Sequence, residues 1–202
     1  MKNLSKKQKA KLKKLILMTE KPNQIFVDNF SKAENLFKNK KYLESLKIYE
    51  NLLHQSPNHV SVMNNVGLIH ERLGKYNEAI SFYKKCYELM PDQIPIIHNL
   101  ANAYCKTERY NEALPLLKKI INTGFRHEFN CEKYALCLFY TQTKNETKIF
   151  IESVLPKFSE NKLLNGLLGK TLLHLNSHSR GLNYIRKSTG FVEFDDKGVK
   201  YI

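Results

Sequence analysis

The chain has 202 residues and a formal net charge of +14, from 33 Lys and Arg against 19 Asp and Glu. Its 6 Pro and 8 Gly are too few for a disordered chain, and no apolar run nears the roughly 20 residues of a membrane-spanning helix. Cys86, Cys105, Cys131 and Cys137 form no CxxC pair and fall inside predicted helices, which argues against a disulfide framework and for a reducing, cytoplasmic setting.

Residues 4–19 predict an amphipathic helix. Leu4, Leu12, Leu15 and Ile16 fall on one side, with Lys6, Lys7, Lys9, Lys13 and Lys14 largely on the other. Its apolar run, Leu15–Met18, is too short for the core of a secretory signal, and Pro22 closes the segment. Residues 1–22 read as a Lys-rich cap on the first unit of the body; the alternative is an anchor for anionic lipid or nucleic acid. Half of the net charge sits here: residues 1–25 carry +7, and the remaining 177 residues also carry +7. Of the basic residues 28 are Lys and 5 Arg, beside 20 Asn, a composition that favours coding bias over selection for phosphate recognition.

From about residue 25 the chain repeats every 34 residues. With Val60 as position 1, position 8 holds Ala33, Gly67, Ala101, Ala135 and Gly169. Position 20 holds Ser45, Ala79, Ala113, Thr147 and Gly181. Small residues recurring at two fixed places predict paired helices that cross closely there, since tight interiors reject a larger side chain. Position 24 holds large residues: Tyr49, Tyr83, Leu117, Ile151 and Ile185. Tyr42, Tyr76 and Tyr110 recur at position 17, and Pro57 and Pro91 close the first two units. The expected helix pairs are 25–39 with 42–55, 60–73 with 76–89, 94–107 with 110–123, 128–142 with 145–158, and 162–175 with 178–188. Pro95 suits the first turn of its helix, Pro115 threatens to shift the start of the next, and Pro156 should end or kink the helix that contains it. After Gly190, Val192, Phe194, Val199 and Tyr201 around Asp195–Gly198 either form a small hairpin or lie extended over the last pair as a cap; the cap is the favoured reading.

These columns resemble the tetratricopeptide repeat (TPR) family, whose unit is a 34-residue helix–turn–helix. The resemblance runs from about Phe26 to Asp195 and is best in the second and third units. His70 stands where an aromatic or Leu is usual, Asn29 and Lys32 replace apolar residues, and Phe125 replaces the closing proline. The resemblance implies an all-α fold, a right-handed α-α superhelix (TPR solenoid) of about five helix-turn-helix repeats, with an N-terminal capping helix and a short C-terminal extension. The domains are then 1–22, a repeat array at 23–189 (repeats about 26–59, 60–93, 94–127, 128–161 and 162–195), and 190–202.

In such an array the first helices of the pairs line a concave groove, at positions 2, 5, 6, 9, 12 and 13 of each unit. The candidate peptide-binding residues there are Asn64, Asn65, Leu68, Arg72, His98, Asn99, Asn102, Lys106 and Lys133; Glu71, Pro95, Cys105, Phe129 and Leu136 share the face. An amide offers both a donor and an acceptor, so Asn65 and Asn99, one unit apart, suit the backbone of an extended peptide. They resemble the asparagine-bearing repeats of O-linked N-acetylglucosamine transferase-type arrays, where such a ladder holds substrate polypeptide. A second branch of the family grips a terminal carboxylate with a Lys/Asn/Asn/Lys/Arg set. Only Asn65 matches it here, with Phe30, Glu34, Pro95 and Asn99 at the other places, so that specialisation is rejected.

No catalytic or metal-binding constellation appears: the seven His are scattered, and His70 reads as a packing residue. The reading is a non-catalytic interaction scaffold, without cofactor or metal, binding an extended peptide or partner protein, with Arg72, Lys106 and Lys133 biasing it toward acidic segments. Two alternatives stand behind it. One is a recognition module working with a glycosyltransferase, sulfotransferase or 2-oxoglutarate-dependent oxygenase. The other, disfavoured by composition, is nucleic-acid or anionic-surface binding through the Lys-rich N-terminus.

Overall fold

The computed structural model describes residues 24–142 and 144–190 and the paired strands 192–195 and 198–201. The helix expected at 4–19 lies outside the described residues. Ten helices are present among the described residues: α1 (Gln24–Lys38), α2 (Tyr42–Gln55), α3 (Val60–Arg72), α4 (Tyr76–Leu89), α5 (Ile94–Lys106), α6 (Tyr110–Asn122), α7 (Glu128–Thr141), α8 (Lys144–Val154), α9 (Lys162–His174) and α10 (His178–Thr189). Eight of them begin at the expected residue, and α1 and α8 begin one residue earlier. Strands β1 (Val192–Asp195) and β2 (Gly198–Tyr201) follow and pair antiparallel, Val192 opposite Tyr201. Residues 192–201 thus form the hairpin rather than the extended cap. The body is the all-α repeat fold that the columns imply.

The helix ends have local causes. Pro95 stands in the first turn of α5, where a missing N–H costs no bond. Pro115 lies inside α6 and does not move its start, which stays at Tyr110. Pro156 ends its helix early: α8 stops at Val154, short of the expected 158, because proline cannot donate back along the helix and pushes the preceding residue out of it. The turn inside a helix pair has a left-handed residue at position 15 in four of the five repeats, Gln142 of the fourth being extended at φ −117°. Gly74 supplies it at φ +74° in the second repeat, while Lys40, Glu108 and Asn176 adopt φ near +60° at the same place in three others.

Contacts divide the chain into two compact units, Met1–Thr107 and Glu108–Ile202. In unit 1 the columns of small residues do what close crossing requires. Ala33 and Ser45 are fully buried, and Ser45 Oγ donates to Ala33 O at 2.8 Å, so the hydroxyl is satisfied where two helices touch. A Cβ added to Gly67 would fall 2.5 Å from Tyr83 Cε1. Phe26, Tyr49, Leu52, Val62, Val66 and Ile69 pack around Ala33, and Met63, Cys86 and Ile96 form a second cluster.

Unit 2 uses the same device with less side chain. A Cβ on Gly169 would meet Gly181 O at 2.8 Å, and one on Gly181 would meet Gly169 O at 3.0 Å, so α9 and α10 touch backbone to backbone. Ile151, Leu164, Leu168 and Leu172 are the fully buried aliphatics beside them. Asn161 caps α9: Oδ1 accepts from Leu164 N at 2.8 Å. Its Nδ2 donates to Glu128 Oε1 at 2.6 Å and Glu132 Oε1 at 2.7 Å, tying α9 to α7. All four cysteines are buried, and Cys86 and Cys131 sit in the cores as small hydrophobes.

Candidate functional site

Eight of the nine candidate residues lie on α3 and α5 of unit 1. Helical spacing puts Asn64, Asn65, Leu68, Glu71 and Arg72 along one face of α3, and His98, Asn99, Asn102 and Lys106 along the matching face of α5. Hydrogen bonds join the two helices. Asn99 Nδ2 donates to Asn64 Oδ1 at 2.9 Å, and Asn102 Nδ2 donates to Glu71 Oε1 at 2.8 Å. Asn65 turns the other way, with Nδ2 donating to Tyr49 Oη of α2 at 2.9 Å. The amides are therefore fixed by one another and by neighbouring side chains: Asn65, Asn99 and Asn102 each spend a donor inside the protein, and Asn64 an acceptor. Asn65 and Asn99 are equivalent in the repeat, yet they take different partners.

The cause lies one column away. Position 12 is Phe37 in the first repeat and Glu71 in the second. Tyr83 Oη finds the Glu71 carboxylate and donates to Oε2 at 3.1 Å. Tyr49 has only the Phe37 ring at that place, so its oxygen accepts from Asn65 instead. Both phenols are held neutral. Burial pushes Tyr49 up to about 12, with the Glu34 carboxylate adding and the Asn65 hydrogen bond offsetting part of the rise. Burial raises Tyr83 as well, and the Glu71 charge and hydrogen bond raise it further. Glu71 thus takes a donor on each oxygen and organises α3, α4 and α5.

Beside this network a pocket of about 240 Å³ opens between α1, α2 and α3. Glu34, Phe37, Lys38, Tyr49, Asn65 and Leu68 line it. Asn65 and Leu68 were candidates from the sequence; Glu34, Phe37, Lys38 and Tyr49 were not. Three of these four are positions 9, 12 and 13 of the first repeat, one 34-residue step before Leu68, Glu71 and Arg72. Tyr49 comes from the second helix of its pair, and its reach to Asn65 carries no signal in the spacing. With Lys38 included, position 13 presents a cation in each repeat of unit 1: Lys38, Arg72 and Lys106, all exposed.

The remaining candidates separate from this group. His98 is half-buried on α5. Cys105, placed on the open face by spacing, is instead buried, because position 12 of this repeat turns into the core. His70 packs parallel to Phe82, centroids 5.6 Å apart, and burial lowers its pKa. Lys133 belongs to unit 2, where its ammonium lies 5.1 Å from the Phe129 ring centroid. Among the described residues no group of three His, Cys, Asp or Glu is placed to hold a metal ion. None of the described helices is long and apolar enough to cross a membrane.

Antiparallel helix pairs recurring at 34 residues, with a polar face on the first helix of each, define a helical-repeat protein. Residues 28–92 match one tetratricopeptide repeat family model and residues 72–127 match a second, so that stretch carries tetratricopeptide repeats. No curated protein sequence matches it. Among solved structures it is similar to YrrB, a TPR protein with an unusual peptide-binding site, at 15% identity over 80% of this chain and 84% of that one, with a TM-score of 0.74. It is also similar to MamA residues 41-end from Desulfovibrio magneticus RS-1, at 14% identity over 83% and 95% of the two chains, TM-score 0.75. A further MamA structure, MSR-1 C2, aligns at 17% identity over 82% and 95%, TM-score 0.73. Identities this low establish the shared fold alone.

Proposed function

We propose that the protein is a non-catalytic binding scaffold whose unit 1 holds an extended, acidic peptide segment along the face of α1, α3 and α5. One observation carries this reading: amides already fixed by internal hydrogen bonds lie on the same face as the exposed column Lys38, Arg72 and Lys106. Asn65, Asn99 and Asn102 each spend one N–H inside the protein and keep a second; Asn102 Oδ1 is buried, so the amide oxygens left for a peptide are those of Asn65 and Asn99. Amides whose rotamers are set before binding lose little entropy when a peptide backbone arrives. The equivalent pair Asn65 and Asn99 resembles the asparagine-bearing repeats of O-linked N-acetylglucosamine transferase-type arrays. The peptide-binding site of the similarly folded YrrB supports the same assignment. Against the carboxylates Glu34 and Glu71, the three exposed cations Lys38, Arg72 and Lys106 leave this face net positive.

The test is a selection of displayed peptides on the full chain, followed by affinity measurements on the variants. Asn65→Ala with Asn99→Ala should weaken retained peptides about thirtyfold, at roughly 1 kcal/mol for each of two hydrogen bonds, without changing the helical circular dichroism. Lys38→Gln, Arg72→Gln and Lys106→Gln together should flatten the salt dependence of binding. Unchanged affinity in the amide pair, or selected peptides without acidic residues, would discard the assignment.

A further inference from the structure

We infer that the pocket between α1, α2 and α3 receives one aromatic side chain of the bound peptide, a specificity element that rests on the peptide-binding reading above. Size decides first. A dry cavity of roughly 150 Å³ suffices for benzene, whereas pockets for drug-sized ligands run from about 300 Å³ upward. At about 240 Å³ this one has room for a single ring and the methylene that links it to a backbone, and too little for a larger molecule.

The walls agree. Phe37, Tyr49 and Leu68 give it an apolar interior, and two of the three are aromatic, the surface against which rings pack edge-to-face or offset. The polar end is ordered as well. Asn65 Nδ2 occupies an acceptor site of Tyr49 Oη, which directs the phenol hydrogen elsewhere; among the described residues that hydrogen has no acceptor, and Asn65 Oδ1 has no donor. A donor and an acceptor thus wait side by side at the polar end. Glu34 and Lys38 stand one turn apart on α1 at the rim and, among the described residues, form no ion pair with each other. A charged rim over an apolar interior suits a ring entering from a solvated peptide. An aliphatic side chain would satisfy the walls but leave the volume underfilled and would gain nothing from the rings.

The experiment uses the full chain with methyl-labelled leucine and four acetylated, amidated peptides Asp-Asp-X-Asp-Asp, where X is Tyr, Phe, Leu or Ala. The Tyr and Phe peptides should bind at least about tenfold more tightly than the Ala peptide and several-fold more tightly than the Leu peptide, shifting the Leu68 methyl signals. Leu68→Phe, which fills the pocket, should abolish the aromatic advantage, bringing the Tyr and Phe peptides to the affinity that the same variant shows for the Ala peptide. Equal affinity for all four peptides, or a preference for Leu, overturns the pocket assignment while leaving the peptide site standing. If no peptide binds, the peptide reading fails, and titration with p-cresol and toluene decides the pocket alone: saturable Leu68 shifts support it and their absence overturns it. The wild-type methyl signals keep the test decisive even if Leu68→Phe does not fold.

Discussion

Units 1 and 2 present the same repeat positions with different chemistry. In unit 1 position 6 is Asn65 and Asn99, and position 13 is Lys38, Arg72 and Lys106. In unit 2 position 6 is Lys133 and Leu167, and position 13 is Tyr140 and His174. Position 2 changes from Val27, Ser61 and Pro95 to Phe129 and Leu163, so an exposed large hydrophobic residue stands there once in unit 1 and in both repeats of unit 2. Tyr140, 60% exposed, stacks on Tyr110 at 4.7 Å, and Lys144 lies 4.3 Å from the Phe139 ring centroid. One unit offers amides and cations, the other rings and aliphatics. The columns that build the fold, positions 8 and 20, are small in both. Architecture and recognition are thus written on separate residues of one repeat, and each can be broken without the other.

The largest effects belong to the architectural columns. Gly67→Ala in unit 1 places a methyl 2.5 Å from the Tyr83 ring, and Gly169→Ala in unit 2 places one 2.8 Å from the Gly181 carbonyl. Neither obstacle is the loose end of a flexible chain, so each substitution should cost about 2 kcal/mol or more, read as a lower urea midpoint. If Gly67→Ala were tolerated and Gly169→Ala not, unit 1 would be held by its side chains rather than by helix proximity.

A smaller effect separates the units by pH. Position 24 is Tyr49 and Tyr83 in unit 1 and Leu117, Ile151 and Ile185 in unit 2. A phenol whose pKa rises on folding contributes stability that is complete below its unfolded value near 10 and is lost as pH climbs toward the folded value. For Tyr49 that window is about pH 10 to 12, and the loss is on the order of 2 kcal/mol. Tyr83, raised by burial and Glu71, moves the same way. Urea midpoints should therefore fall over this range, and Tyr49→Phe with Tyr83→Phe should remove most of the fall. Tyr134 of unit 2 is also raised by burial and supplies the internal control, since Tyr134→Phe should remove much less. An unchanged alkaline slope in the double variant would show that the two phenols do not carry it.

Much of this was legible in the amino-acid order, for a physical reason. Small residues at a fixed period leave the helices one way to nest, so Val60, Tyr76 and Ile94 begin their helices where counting puts them. The polar face was legible in the same way, as positions on a wheel. The contacts made there were not. That Asn65 would bond Tyr49, and Asn99 would bond Asn64, depends on how neighbouring repeats cross and on a single exchange of Phe37 for Glu71. The pocket was half visible: the 34-residue step also leads to Glu34, Phe37 and Lys38 at positions 9, 12 and 13 of the first repeat, but Tyr49 comes from a second helix, where the spacing gives no signal. The hairpin at 192–201 lies outside the repeat, where counting has no purchase.

The smallest effect asks whether the turn inside each pair is as interchangeable as the helices are. Position 15 is left-handed in four of the five repeats, and only Gly74 of the second adopts that conformation without a Cβ penalty. Lys40 at φ +60° and Glu108 at φ +58° each bear roughly 1 kcal/mol of strain, and the greater freedom of glycine in the unfolded chain returns part of any gain. Lys40→Gly in unit 1 and Glu108→Gly in unit 2 should each stabilise by about 0.5 kcal/mol, a rise in urea midpoint of equal size in the two units. The direction is the point, since surface-to-glycine changes ordinarily destabilise. A loss at either site would mean that the side chain there does more for its turn than the backbone strain takes away. A gain at one site alone would show that the two units do not tolerate the turn equally.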